Sequence, residues 1–164
     1  SLVRAVSSAK PKVADYAFTT LNPSLGVVDY SNNSSFVISD IPGLIAGASK
    51  GVGLGIQFLK HLSRTRVIVQ IVDIYDKSSE EIIEEIEELN LEIREYDSSL
   101  VKKVMWLALN KIDLIDDQDL EDLVNELKVQ YEGILNIYCI SAAKKVGTQQ
   151  LMREIGTFME SSDE

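Results

Sequence analysis

A chain of 164 residues, 45% hydrophobic and 26% charged, suits one soluble domain with a sizeable core. A formal net charge of −10 argues against broad non-specific attraction to nucleic acid, and no apolar run approaches the roughly 18 residues of a membrane span. Cys139, the single cysteine, excludes an intrachain disulfide and fits a reducing cytoplasm, and His61, the single histidine, excludes a multi-histidine metal site.

In chain order, Leu25–Tyr30 and Phe36–Asp40 flank Ser31-Asn32-Asn33-Ser34-Ser35, the pattern of a hairpin. Gly43, Gly47, Gly51, Gly53 and Gly55, five of the nine glycines, then crowd one segment, which needs unusual backbone freedom or close approach to something. Helices are expected at Leu54–Leu62, Ser79–Tyr96, Gln118–Tyr131 and Thr148–Met159. In the second of these Ile82, Ile86, Leu89 and Ile93 recur at helical spacing, with glutamates on the other faces as a solvated surface. Val67–Asp73, Val104–Leu109 and Leu135–Ile140 are nearly continuous apolar runs, as in strands buried on both faces, and Cys139 falls in the last as a small core residue. Strand alternating with helix gives an α/β fold with a mostly parallel sheet.

Ligands of open α/β sheets bind beyond the carboxyl ends of the strands. Three of these runs end in polar motifs: Asp40-Ile41-Pro42-Gly43, Asn110-Lys111-Ile112-Asp113 and Ser141-Ala142-Ala143. The second is the most informative and resembles the base-recognition motif of GTPases. A carboxylate at Asp113 can accept two hydrogen bonds from guanine, whereas adenine offers no such pair of donors and would leave buried acceptors unpaired. Asn110 would tie neighbouring loops together, and the Lys111 stem can lie along the base plane. Ser141-Ala142-Ala143 resembles the last guanine-contacting loop of GTPases, in which a backbone N–H near Ala142 would meet the guanine carbonyl oxygen. Asp40-Ile41-Pro42-Gly43 resembles the loop of P-loop NTPases that senses the γ-phosphate, in which Asp40 would hold Mg²⁺ through a water and the N–H of Gly43 would bond a γ-phosphate oxygen. In Phe18-Thr19-Thr20-Leu21 a threonine hydroxyl can coordinate Mg²⁺ directly.

Together with Ser7-Ser8-Ala9-Lys10-Pro11-Lys12-Val13-Ala14-Asp15-Tyr16, Gly51-Val52-Gly53-Leu54-Gly55 and Phe58-Leu59-Lys60-His61, these motifs resemble the Obg (CgtA) family of GTPases. The resemblance implies a P-loop NTPase-type three-layer fold that binds GTP and GDP with Mg²⁺ and hydrolyses GTP slowly. It makes Thr20 the direct Mg²⁺ ligand, Phe18–Asn22 the first switch and Asp40 onward, through Ile41, Pro42 and Gly43, the second. It further implies a cytoplasmic protein acting in assembly of the large ribosomal subunit, with links to stress signalling.

Two departures matter. The sequence holds no Gly-x-x-x-x-Gly-Lys-Ser phosphate loop; by the family pattern Ser1 falls just after that motif's serine, so the lysine that meets the phosphates, the serine that binds Mg²⁺ and the first strand are expected upstream. That strand belongs between Phe36–Asp40 and Val67–Asp73, and residues 1–164 alone are therefore expected neither to fold stably nor to bind GTP. Secondly, Leu44 stands where Ras-like enzymes carry the glutamine that orients water, a substitution the Obg family shares. The catalytic group is open; His61 and Arg64 are candidates by nearness in sequence. The rival expectations are a GTPase-fold interaction module without turnover, which the missing phosphate loop favours, and an ATP-binding relative, against which Asp113 speaks.

Overall fold

In a computed structural model, the structure describes residues 2–8, 12–13, 24–40, 62–104, 106–131 and 136–163. The elements are α1 (Leu2–Val6), β1 (Lys12–Val13), β2 (Ser24–Ser31), β3 (Ser34–Ser39), β4 (Val69–Asp73), α2 (Ser79–Tyr96), β5 (Trp106–Asn110), α3 (Asp117–Gln130), β6 (Asn136–Cys139) and α4 (Thr148–Ser161). The expected helix at Leu54–Leu62 and the glycine-rich segment lie outside the described residues but for Leu62.

The strands form two sheets. One is parallel, in the order β4-β5-β6, and the other is antiparallel, in the order β1-β2-β3. Among the described residues no ladder joins β3 to β4. These are the two strands between which the family resemblance leads one to expect a further one.

In β5 the pleat sends Trp106 and Ala108 to one face and Leu107 and Leu109 to the other. The first face packs on α4 through Leu151, Met152 and Ile155, on α1 through Leu2, and on the hairpin through Val28. The second packs on Ile82 and Ile86 of α2 and Leu123 and Leu127 of α3. The parallel sheet is thus the middle of three layers, as expected.

Local chemistry sets the boundaries. Ser78 caps α2 by accepting from the Glu81 N–H while the Glu81 carboxylate accepts from the Ser78 N–H. Ile82, Ile86 and Ile93 point inward as the periodicity predicts, but Glu92 is buried too, an exception to the solvated acidic face. Ser98–Val104 is a 3-10 stretch, opened by Asp97 accepting from the N–H and hydroxyl of Ser99, so β5 starts later than the apolar run suggests. The Ile68 N–H donates to the Lys103 carbonyl at 3.0 Å, and β4 starts only at Val69.

Burial on both faces, expected of all three parallel strands, holds for β5 alone. β4 and β6 are edges among the described residues, which leaves Ile71 exposed and β6, Cys139 included, half-buried. The hairpin turn is also tighter than expected: Ser31 pairs with Ser34, leaving Asn32-Asn33 as a two-residue loop with Asn33 at φ 64°.

Candidate functional site

Parallel strands bring their carboxyl ends to one edge, and register decides which residues meet there. Asp73 of β4 lies directly beside Asn110 of β5. The Asn110 side chain then works in both directions. Its Nδ2 donates to Asp73 Oδ1 at 2.9 Å, and its Oδ1 accepts from the Ala142 N–H at 3.0 Å. One amide therefore ties the exits of β4 and β6 to that of β5. The Ile74 N–H closes the same corner by donating to the Asn110 carbonyl at 3.1 Å.

Lys111 follows in the left-handed region, at φ 71°, which reverses the chain into the turn Ile112–Leu114. Its Nζ pairs with Asp73 Oδ2 at 3.0 Å. Partial burial would by itself raise the Asp73 carboxyl, but the bonds from Lys111 and Asn110 and the charges of Lys111 and Lys77 outweigh it and hold the group below its ordinary value. The turn is pinned to the end of β6, because the Ile112 N–H donates to the Ile140 carbonyl at 3.3 Å. Asp113 rides on this anchored turn, exposed, with no side-chain partner among the described residues.

The third motif is braced as well. Ser141 and Val146 exchange two backbone bonds of 3.0 Å each, and the buried Ser141 hydroxyl accepts from the Lys144 N–H at 3.2 Å. Lys145, at φ 55°, and Gly147, at φ 72°, turn the chain into α4; a side chain at Gly147 would strike the Cys139 carbonyl.

The structure thus gathers Asn110, Lys111, Asp113, Ser141, Ala142 and Ala143 on one edge. Asp40 is elsewhere: it leaves β3 in the other sheet, exposed, its N–H donating to the Ser24 carbonyl at 2.9 Å. Phe18, Thr19, Thr20, Leu21, Asn22, Ile41, Pro42, Gly43, Leu44 and His61 lie outside the described residues. Arg64 is exposed on a turn that follows Leu62. Sequence reasoning passed over Asp73, which looks like any polar strand end until its register with Asn110 is known. Among the described residues no cluster of three His, Cys, Asp or Glu side chains could hold a metal, and no helix is long and apolar enough to cross a membrane.

The family model described as "50S ribosome-binding GTPase" matches residues 1–111. This chain belongs to that GTPase family. It is a GTP-binding domain of the P-loop GTPase class, with the class's α/β fold and parallel sheet. Solved structures share that fold. Era of Aquifex aeolicus, bound to GDP and AlF4−, is 21% identical with a TM-score of 0.69, over 95% of this chain and 51% of that one. The cytosolic domain of L. pneumophila FeoB is 18% identical with a TM-score of 0.59, over 94% and 60%. A nucleolar GTP-binding protein 1 of Plasmodium falciparum is 21% identical with a TM-score of 0.60, over 99% and 81%. The GTPase domain described here spans about half the length of the Era chain.

Proposed function

We propose that this domain serves an Obg-type nucleotide switch, binding GTP and GDP with Mg²⁺, hydrolysing GTP slowly and acting in assembly of the large ribosomal subunit, with links to stress signalling and in a cytoplasmic setting. The observation that carries the guanine half of the reading is the Asn110 clamp. It fixes the Ser141–Ala143 loop and the Asp113 turn relative to one another, with the Asp113 carboxylate unpaired among the described residues. A preset acceptor on a braced rim is what discrimination between bases requires.

The phosphate half rests on the resemblance and on Asp40. An exposed carboxylate at a strand end, with its backbone held by Ser24, fits a water-mediated Mg²⁺ ligand. Thr20 would bind the ion directly, and Gly43 would contact the γ-phosphate. Bound Mg²⁺ would neutralise charge on the phosphates. Leu44 cannot orient water by hydrogen bonding, in keeping with slow turnover.

The test is Asp113→Asn in the full-length protein, measured for GTP and xanthosine triphosphate binding. Loss of one charge-assisted contact should weaken GTP roughly a hundredfold and shift preference to the xanthine nucleotide. An unchanged preference for GTP would remove Asp113 from the base site.

A further inference from the structure

Among the described residues no ladder joins the hairpin to the parallel sheet, yet both are tied to the end of α4. The hairpin reaches the helix through Tyr30. Asp29 pairs with Ser35 and Ser31 with Ser34, so Tyr30 is the extra residue of a bulge, a feature that re-aims a side chain. Its ring rests on Gly156, where an added Cβ would overlap ring atoms, and tilts against Phe36 with centroids 5.5 Å apart. Its hydroxyl donates to Glu160 Oε1 at 2.6 Å. On the other side Arg66, just ahead of β4, donates to the Met159 carbonyl at 2.7 Å and pairs with Asp163 at 2.9 Å. One helix end is therefore gripped by each sheet, through different residues.

We infer that Tyr30 is a positioning residue that transmits movement of the β2–β3 hairpin to the last turns of α4, with Arg66 as the anchor to the parallel sheet. The inference rests on the proposed function, because the loops entering β2 and leaving β3 are the ones assigned there to the γ-phosphate and Mg²⁺. A hairpin displaced by those loops keeps its own ladder but must slide the Tyr30 ring over Gly156 and strain the bond to Glu160. The Arg66 contacts do not involve the hairpin and stay. Gly156 makes this pathway specific: with no side chain on the helix at that point, the ring meets backbone, and its motion cannot be absorbed by a rotamer change. One such hydrogen bond is worth roughly a two- to tenfold change in an equilibrium.

Amide hydrogen exchange on the full-length protein, loaded with GDP or with a GTP analogue that resists hydrolysis, tests this. Exchange over residues 156–161 should differ between the two states by about two- to tenfold. Tyr30→Phe and Glu160→Ala, which remove the same bond from opposite ends, should abolish that difference and shift the ratio of GTP to GDP affinity by no more than about the same two- to tenfold. Glu160→Gln, which still offers an acceptor, should retain it. Arg66→Ala should raise exchange alike in both states. A difference that survives both Tyr30→Phe and Glu160→Ala overturns the inference. So does its absence in the unmutated protein when residues 17–24 respond to nucleotide, which leaves the proposed function standing. If neither region responds, the switch itself is lost and the inference with it.

Discussion

At the carboxyl edge of the parallel sheet, the Asn110 amide, the Asp73 carboxylate and the Ser141 hydroxyl all have protein partners. At the end of β3 the pattern reverses: among the described residues Asp40 has one backbone bond and no side-chain partner, and the buried Ser39 hydroxyl has none either. On the proposed function the two regions serve different tasks. A rim that must tell one base from another gains from groups already fixed in place, since none of the binding energy is then spent on ordering them. A region that reports on a phosphate and a metal gains from groups whose partners arrive with the ligand.

The comparison breaks most visibly in the core. Leu109 is fully buried under the base-side edge, whereas Val37 on the outer face of the hairpin is 66% exposed. Leu109→Ala should cost about 2–5 kcal/mol in unfolding free energy, while Val37→Ala should stay within about 0.5. Chemical denaturation of both variants measures this, and equal losses would mean that the hairpin carries as much of the core as β5 does.

Next comes the clamp. Asn110→Ala removes the bonds to Asp73 and Ala142 together and strands the Ala142 N–H. A loss of about 2–3 kcal/mol in stability is expected, with guanine-nucleotide affinity falling more than tenfold. Asn110→Asp keeps the acceptor for Ala142 but sets a carboxylate against Asp73, so it should do no better than alanine. Wild-type affinity in either variant, from a binding titration, would show that the rim does not need its brace.

How far the sequence alone reaches differs between the two regions for the same physical reason. Asn110, Asp113 and Ser141 were legible because each follows a buried apolar run, and strand ends in a parallel sheet converge by geometry. Asp73 was not, because its role depends on register with Asn110, which no local pattern encodes. Tyr30, Gly156 and Glu160 were hidden more deeply: a bulge and a helix 130 residues apart meet only in the folded chain. The elements α1 and β1, five and two residues long, are too short for periodicity to mark.

A smaller effect separates charge from geometry on the rim. The folded state holds the Asp73 carboxyl below its ordinary value, so the unfolded chain binds more protons in acid and the contribution rises with pH. It is fully present above the ordinary carboxyl value of about 3.9 and fades as pH falls through the lower folded value. With its side chain 45% accessible, the ion pair with Lys111 is worth only about 0–1 kcal/mol. The stability difference between the unmutated protein and Asp73→Asn should be constant from neutral pH to about 5 and should shrink below about 4. A difference that grows in acid would mean that burial, not pairing, dominates this carboxyl.

The smallest effect compares the two turns. Lys145 on the rim and Asn33 at the hairpin tip both sit in the left-handed region, at φ 55° and 64°. That conformation costs an ordinary side chain about 1–2 kcal/mol but costs asparagine less, because its short polar chain bonds locally. Glycine removes the strain and adds roughly 0.5–1 kcal/mol of unfolded-state entropy. Lys145 is exposed, and its N–H bond to the Ala142 carbonyl, at 3.4 Å, survives the change. Lys145→Gly should therefore stabilise by about 0.5 kcal/mol, whereas Asn33→Gly should be neutral or slightly destabilising. Paired thermal melts resolve the sign. A loss above about 1 kcal/mol for Lys145→Gly would show that the lysine side chain makes a favourable contact on the rim, and that its strained backbone is retained for that contact.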